Sequence, residues 1–223
     1  MTTGVLERGI DRIDERDTRD LEGAPWAHAA GGPACIILVL DISSSMAGEK
    51  LEVAKQSLLK LIDHLVPGDF CGVVVFSMQV ETLAAPEEMT ETRKRELRRL
   101  IDRVRPGEKT NLGGGMLAGL DHARIAKLPP GMLAHVLVFT DGIANSGPAK
   151  TPDELLTLLE ANRGDATLSA FGCGNDADVE LLRDLAARGN GNHARVYGPE
   201  DAVAAFLREL GEFATNAQRI EHA

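Results

Sequence analysis

The chain is expected to be α/β: a doubly wound open sheet of about six strands, mostly parallel with one antiparallel edge strand, and with helices on both faces. Three observations lead there. Short, continuously apolar runs such as Cys35–Leu40 read as parallel strands covered on both faces. Segments whose apolar residues recur about every 3.6 positions alternate with those runs almost throughout. Aromatic residues make up only 4% of the 223 residues against 43% hydrophobic content, so Leu, Val, Ile and Ala must build the core. Such a core suits helices packed on a sheet better than a sandwich or barrel, and the length suits one domain.

The first strand, Cys35 to Leu40, ends at Asp41, and Leu51, Ala54, Leu58, Leu61, Ile62 and Leu65 then mark a helix that stops before Pro67 and Gly68. Phe70 to Phe76 is a second buried strand. Gln79 to Ala84 follows closely enough to be its antiparallel hairpin partner at the sheet edge. Helices fit Thr90 to Val104 and Leu112 to Lys127, separated by Pro106 and Gly107. Met132 to Thr140 contains a fourth strand. Thr151 caps a helix over Pro152 to Asn162, with proline at the first helical position. Ala166 to Gly172 is a fifth strand, Asp178 to Arg188 a helix, His193 to Tyr197 a short sixth strand, and Pro199 to Phe213 a closing amphipathic helix. Right-handed crossovers then predict the strand order 3-2-1-4-5-6, the doubly wound, Rossmann-like arrangement. Asp41 and Asp141, which end the first and fourth strands, fall at the crevice where the winding reverses.

Residues 1–32 stand apart as an arm, flexible or docked as a short helix through Leu6, Ile10 and Ile13 with Trp26 as anchor. Residues 33–215 form the domain and 216–223 a tail. A net charge of -10 argues against nucleic acid as a partner, because a phosphate backbone calls for a concentrated positive field. The basic cluster Arg93, Lys94, Arg95, Arg98 and Arg99 is interrupted by acids at helical spacing and reads as a solvated helix face. Cys35, Cys71 and Cys173 are odd in number and lie in or beside apolar strands, which points to a reducing compartment. Met1 to Asp20 holds no secretory core and no run approaches membrane-spanning length, so a soluble, cytoplasmic chain is expected.

The chemistry concentrates in three loops. Asp41, Ser43 and Ser45 alternate carboxylate and hydroxyl groups where a buried strand turns into a helix, Thr110 precedes the third helix, and Thr140, Asp141 and Gly142 end the fourth strand. Hard oxygen donors without His or Cys suit Mg2+ or Mn2+. The protein supplies too few anionic ligands to close the shell, so a carboxylate from a partner's Glu or Asp is a favourable sixth ligand. The plainer alternative is that Asp and Ser merely cap helices by accepting from free backbone N–H groups. The joint occurrence of all three segments in order favours the metal.

The pattern Asp41, Ser43, Ser45, then Thr110, then Asp141 followed by Gly142 resembles the metal-ion-dependent adhesion site of von Willebrand factor A domains. The likeness runs from about Pro33 to Phe213, and GDFCGVVVFS, KTNLGGGM and FGCGNDADVELL are similar to the bacterial branch. The resemblance implies that Ser43, Ser45 and Thr110 reach the ion through hydroxyls, Thr110 only once the partner is bound. Asp41 and Asp141 would act through water. It also implies a shift of the last helix on ligand binding, and a second use of the same site as the adaptor of an AAA+ ATPase of the MoxR or chelatase type.

An enzyme is not expected. A haloacid dehalogenase-like phosphatase needs a second Asp two residues after the first, and Ser43 stands there. Lys109 reads as an exposed lysine rather than an anion ligand. Gly113, Gly114 and Gly115 do not follow the first strand, so they read as close packing near Thr110 rather than a dinucleotide fingerprint. Gly172 and Gly174 read as a tight loop. Ser169, His135 and Asp141 lack a nucleophile elbow. The remaining histidines read as ordinary, and Met46, Met78 and Met116 as core filling rather than rim.

Overall fold

The computed structural model describes residues 33–205 apart from Gly131 and Ile143. The arm at 1–32, the tail at 216–223 and the second half of the closing helix lie outside the described residues.

Six strands form one sheet in the order β3-β2-β1-β4-β5-β6: β1 (Cys35–Asp41), β2 (Phe70–Phe76), β3 (Val80–Glu88), β4 (Ala134–Thr140), β5 (Thr167–Cys173) and β6 (Asn190–Val196). All neighbours pair in parallel except β2 with β3. The expected order, the antiparallel edge and the class therefore stand as read. The crossovers are α1 (Glu49–His64), α2 (Glu91–Asp102), α3 (Leu112–Ile125), α4 (Pro152–Asn162) and α5 (Val179–Arg188), and residues 199–205 are helical again.

Period-two alternation along β1 divides the core. Ile36, Leu38 and Leu40 join one cluster with Leu58 and Ile62 of α1, Leu97 and Ile101 of α2, and Val203. Cys35, Ile37 and Val39 join the opposite cluster with Met116 and Leu120 of α3, Leu155 and Leu159 of α4, and Leu185 of α5. Helices thus cover both faces, which is why β1 and β4 are buried along their whole length.

The differences from the sequence reading have local causes. β3 runs on past Ala84 to Glu88 because an edge strand tolerates Pro86 on its unpaired side, and the register with β2 shifts around Gly72, where a side chain would meet the Pro86 ring. The basic face of α2 is only partly solvated: Arg93 is buried and donates to Ala85 O and to Glu96, while Lys94 and Arg98 reach Asp63 on α1. Met46 and Met116 fill the core as expected, but Met78 is 48% exposed in the β2–β3 turn. Among the described residues no helix is long and apolar enough to cross a membrane.

Candidate functional site

β1 lies between β2 and β4, and the chain leaves it in opposite directions on its two sides, so a crevice opens above its C-terminal end. Asp41 is the last residue of β1 and Asp141 directly follows β4. Both are fully buried. Asp41 Oδ1 accepts from the Ser43 backbone N–H at 2.8 Å, which folds the loop back on the carboxylate, and Oδ2 accepts from Thr140 Oγ1 at 2.6 Å. Thr140 Oγ1 in turn accepts from Gly142 N–H at 2.9 Å, so one hydroxyl ties the ends of β1 and β4 together. Ser43 Oγ lies 3.1 Å from Ser45 Oγ, the first buried and the second exposed at the mouth.

The third loop is laced to the other two through backbone. Ser44 donates to Glu108 O from both its N–H and its hydroxyl, at 3.0 and 2.8 Å, and Gly107 N–H donates to Ile42 O. Thr110 O accepts from the N–H groups of Asn145 and Ser146, while Thr110 N–H donates to Asn145 Oδ1 at 2.9 Å. The structure therefore brings the Asp41, Ser43, Ser45, Thr110 and Asp141 loops together. Among the described residues no hydrogen bond joins the Thr110 hydroxyl to the other four side chains, so Thr110 is positioned by its main chain.

The electrostatics of this cup are unbalanced. Burial pushes the Asp41 carboxyl up to about 6; the bonds from Thr140 and Ser43 oppose that rise, and the Asp141 charge adds to it. Asp141 Oδ1 is buried with no hydrogen-bond partner. Leaving a buried carboxylate oxygen without a donor costs the desolvation of a charged group. One cation is already near: Lys50 Nζ sits 3.4 Å from Asp141 Oδ2 and 2.7 Å from the Asp176 carboxylate. Burial works against the Lys50 charge, but the bond from Asp176 and the Asp141 charge outweigh it and hold its pKa above the ordinary lysine value.

Among the described residues no group of three or more His, Cys, Asp or Glu gathers around one point. The donor set is instead mixed, two carboxylates and three hydroxyls. Its oxygens are hard and its buried Asp141 Oδ1 lacks a donor, a chemistry that fits Mg2+ or Mn2+ rather than Zn2+. The sequence reading named Thr140 without giving it a role and missed Asn145, Lys50 and Asp176. Thr140 carried a signal in its place beside Asp141; Lys50 and Asp176, 126 positions apart, carried none.

The rival arrangements are scattered. His135 is near the start of β4, a strand's length from Asp141 beyond its other end, and its Nδ1 pairs with Thr167 Oγ1 at 2.9 Å. Ser169 lies in mid-β5 and accepts from Asn192 N–H. Lys109 is exposed.

The von Willebrand factor type A domain family model matches residues 36–210. Inter-alpha-trypsin inhibitor heavy chain H3 of Rattus norvegicus is 31% identical over 180 residues, covering 76% of this chain but only 20% of that protein, so the chain spans about a fifth of its relative. A solved von Willebrand factor type A protein from Catenulispora acidiphila superposes with a TM-score of 0.68 at 20% identity, over 82% of this chain and 43% of that one. BatB from Bacteroides thetaiotaomicron gives 0.64 at 19% identity, over 82% of this chain and 99% of its own. These two likenesses concern the fold. The heavy-chain relatives are mammalian, and the solved neighbours speak to the fold alone, so the comparisons do not show the bacterial branch.

Proposed function

Because this chain belongs to the von Willebrand factor type A domain family, whose members serve as protein-interaction modules, we propose that it is a binding module that takes one Mg2+ or Mn2+ at the β1/β4 crevice and uses it to capture a Glu or Asp carboxylate of a partner protein. Ser43, Ser45 and Thr110 offer hydroxyl oxygens, and Asp41 and Asp141 supply the negative charge. When bound, the ion supplies a Lewis-acidic position facing the partner. The observation that carries the reading is the buried, partnerless Asp141 Oδ1 beside a second buried carboxylate.

The same geometry supports a binder over an enzyme. Ser43 stands where phosphoryl transfer would need an acid, and Asp41, whose two oxygens already accept from Ser43 and Thr140, is committed to holding the loops. Use of the site as an AAA+ ATPase adaptor shares every residue and differs only in who brings the carboxylate. A cytoplasmic, reducing setting belongs to the proposal and rests on Cys35, Cys71 and Cys173, all buried as free thiols. Membership of the bacterial branch rests on the GDFCGVVVFS, KTNLGGGM and FGCGNDADVELL stretches.

Thermal unfolding tests the metal. At roughly a hundredfold excess over Kd, Mg2+ or Mn2+ should raise the Tm of the wild type by about 5 to 10 °C, and Asp141→Ala should remove most of that shift. Equal shifts in both proteins would sink the proposal. Capture from native lysate with and without EDTA, with Asp41→Ala as control, tests the partner: retention of the same proteins in EDTA contradicts metal-dependent capture, and an ATPase among metal-dependent ones identifies the adaptor role.

A further inference from the structure

Lys50 occupies a place that its own helix disfavours. It lies in the first turn of α1, where the unpaired N–H groups and the helix dipole attract negative charge, so a lysine there is held by something else. What holds it is a notch in the loop after β5. Gly174 adopts φ +88°, and a side chain at that position would lie 2.9 Å from Lys50 Cε, so the lysine stem rests across bare backbone. Its ammonium then reaches two carboxylates of opposite character: Asp141, buried in the cup, at 3.4 Å, and Asp176, 62% exposed at the rim, at 2.7 Å. The ammonium stands between an inner carboxylate and an outer one, nearer the outer.

We infer that Lys50 is the built-in counter-cation of this site: its ammonium compensates Asp141 before a divalent ion binds and retires to Asp176 when one does. The inference rests on the metal reading proposed above. Charge counting explains the need. Asp41, Asp141 and Lys50 together carry a net single negative charge, which a buried cup can hold; without Lys50 two buried carboxylates would face each other uncompensated. Adding a dication to the same three groups reverses the sign and leaves the ammonium close to a second cation, which drives it outward. A lysine suits this exchange because its point charge sits on a flexible stem, whereas the fork of an arginine would lock onto one carboxylate. Asp176 keeps the displaced ammonium from needing full rehydration. Binding of the ion thereby becomes an exchange of cations, and Lys50 lowers the affinity of the site while keeping the domain folded in its absence.

Calorimetric titration of the whole chain with Mn2+, together with Tm in EDTA, tests this. Lys50→Met keeps the length of the stem and removes the charge; it should bind Mn2+ roughly tenfold tighter than wild type and show a lower Tm in EDTA. Asp176→Asn removes the outer carboxylate and should bind roughly twofold to threefold more weakly, a small effect because Asp176 is exposed. A lysine that merely packed would give no change in affinity. Lys50→Met binding Mn2+ equally or more weakly, with wild-type binding intact, overturns the counter-cation role and leaves the metal site standing. Absence of Mn2+ binding by the wild type overturns both. Should Lys50→Met fail to fold, Asp176→Asn decides alone, since unchanged or tighter binding contradicts the exchange.

Discussion

A methyl group at Gly119 would lie 2.7 Å from Val39 Cγ2 and 2.9 Å from Val136 Cγ1, side chains of the two central strands. Two effects oppose each other in Gly119→Ala. Alanine gains about 1 kcal/mol of helix propensity, while overpacking costs about 1 to 3 kcal/mol. Both valines are stiff at χ1 and neither strand can retreat, so the steric cost falls in the upper part of its range and urea unfolding should show a net loss of up to about 2 kcal/mol. A variant as stable as wild type would mean that α3 can slide on the sheet. The glycines ahead of it were read as packing residues, and Gly115, whose added side chain would run into the Phe76 ring, is the one that meets that reading most directly. Asp41, Ser43 and Ser45 were legible because a single loop holds them at alternate positions. Thr140 was visible but without a role, because its hydroxyl becomes a bridge only once β1 and β4 lie side by side.

Among the helices, α4 was read most completely, since its start is written locally. Thr151 Oγ1 accepts from Glu154 N–H at 3.3 Å, the Glu154 carboxylate accepts from the N–H groups of Thr151 and Lys150, and Pro152 opens the helix. Those two N–H groups hold the Glu154 carboxyl below its ordinary pKa. Thr151→Ala should destabilise the domain by about 1 kcal/mol, measured as a shift in urea midpoint at unchanged slope. No shift would mean that packing of Leu155 and Leu159 alone holds the helix. Edges of strands were read less well. β6 begins at Asn190 rather than His193, with Asn190 at φ 53°, because Gly189 and Asn190 pair with Leu168 on β5, a contact that hydrophobic pattern does not encode. The polar run Asn190–Asn192 looks like a loop until its neighbour is known.

Stability against pH sums opposed groups across the fold. Burial pushes His135 down from 6.5 to about 4, so between those values the unfolded chain binds a proton that the folded one refuses, and stability falls as pH falls through that window. Asp41, raised from 3.8 to about 6, has the opposite sign and masks the trend when no divalent ion is present. The histidine's share is exposed by comparison: in EDTA, the stability of the wild type relative to His135→Gln should drop by on the order of 2 kcal/mol from pH 6.5 to pH 5. A constant difference across that range would show that His135 takes up its proton in the folded state.

Across the domain, apolar periodicity and the punctuation of Gly, Pro and capping residues, joined to right-handed crossovers, determined the class and the strand order, and the pattern of the loops offered five oxygen-bearing candidates, because each signal is carried within one loop or one turn of chain. Tertiary structure decided the rest: which hydroxyl bridges the two central strands, that Arg93 and Asp141 are buried, and that Lys50 lies between Asp141 and Asp176. The physical reason is range. Propensity and periodicity act between neighbours in sequence, whereas burial and charge compensation depend on groups that only the crossovers bring within a few ångströms of one another.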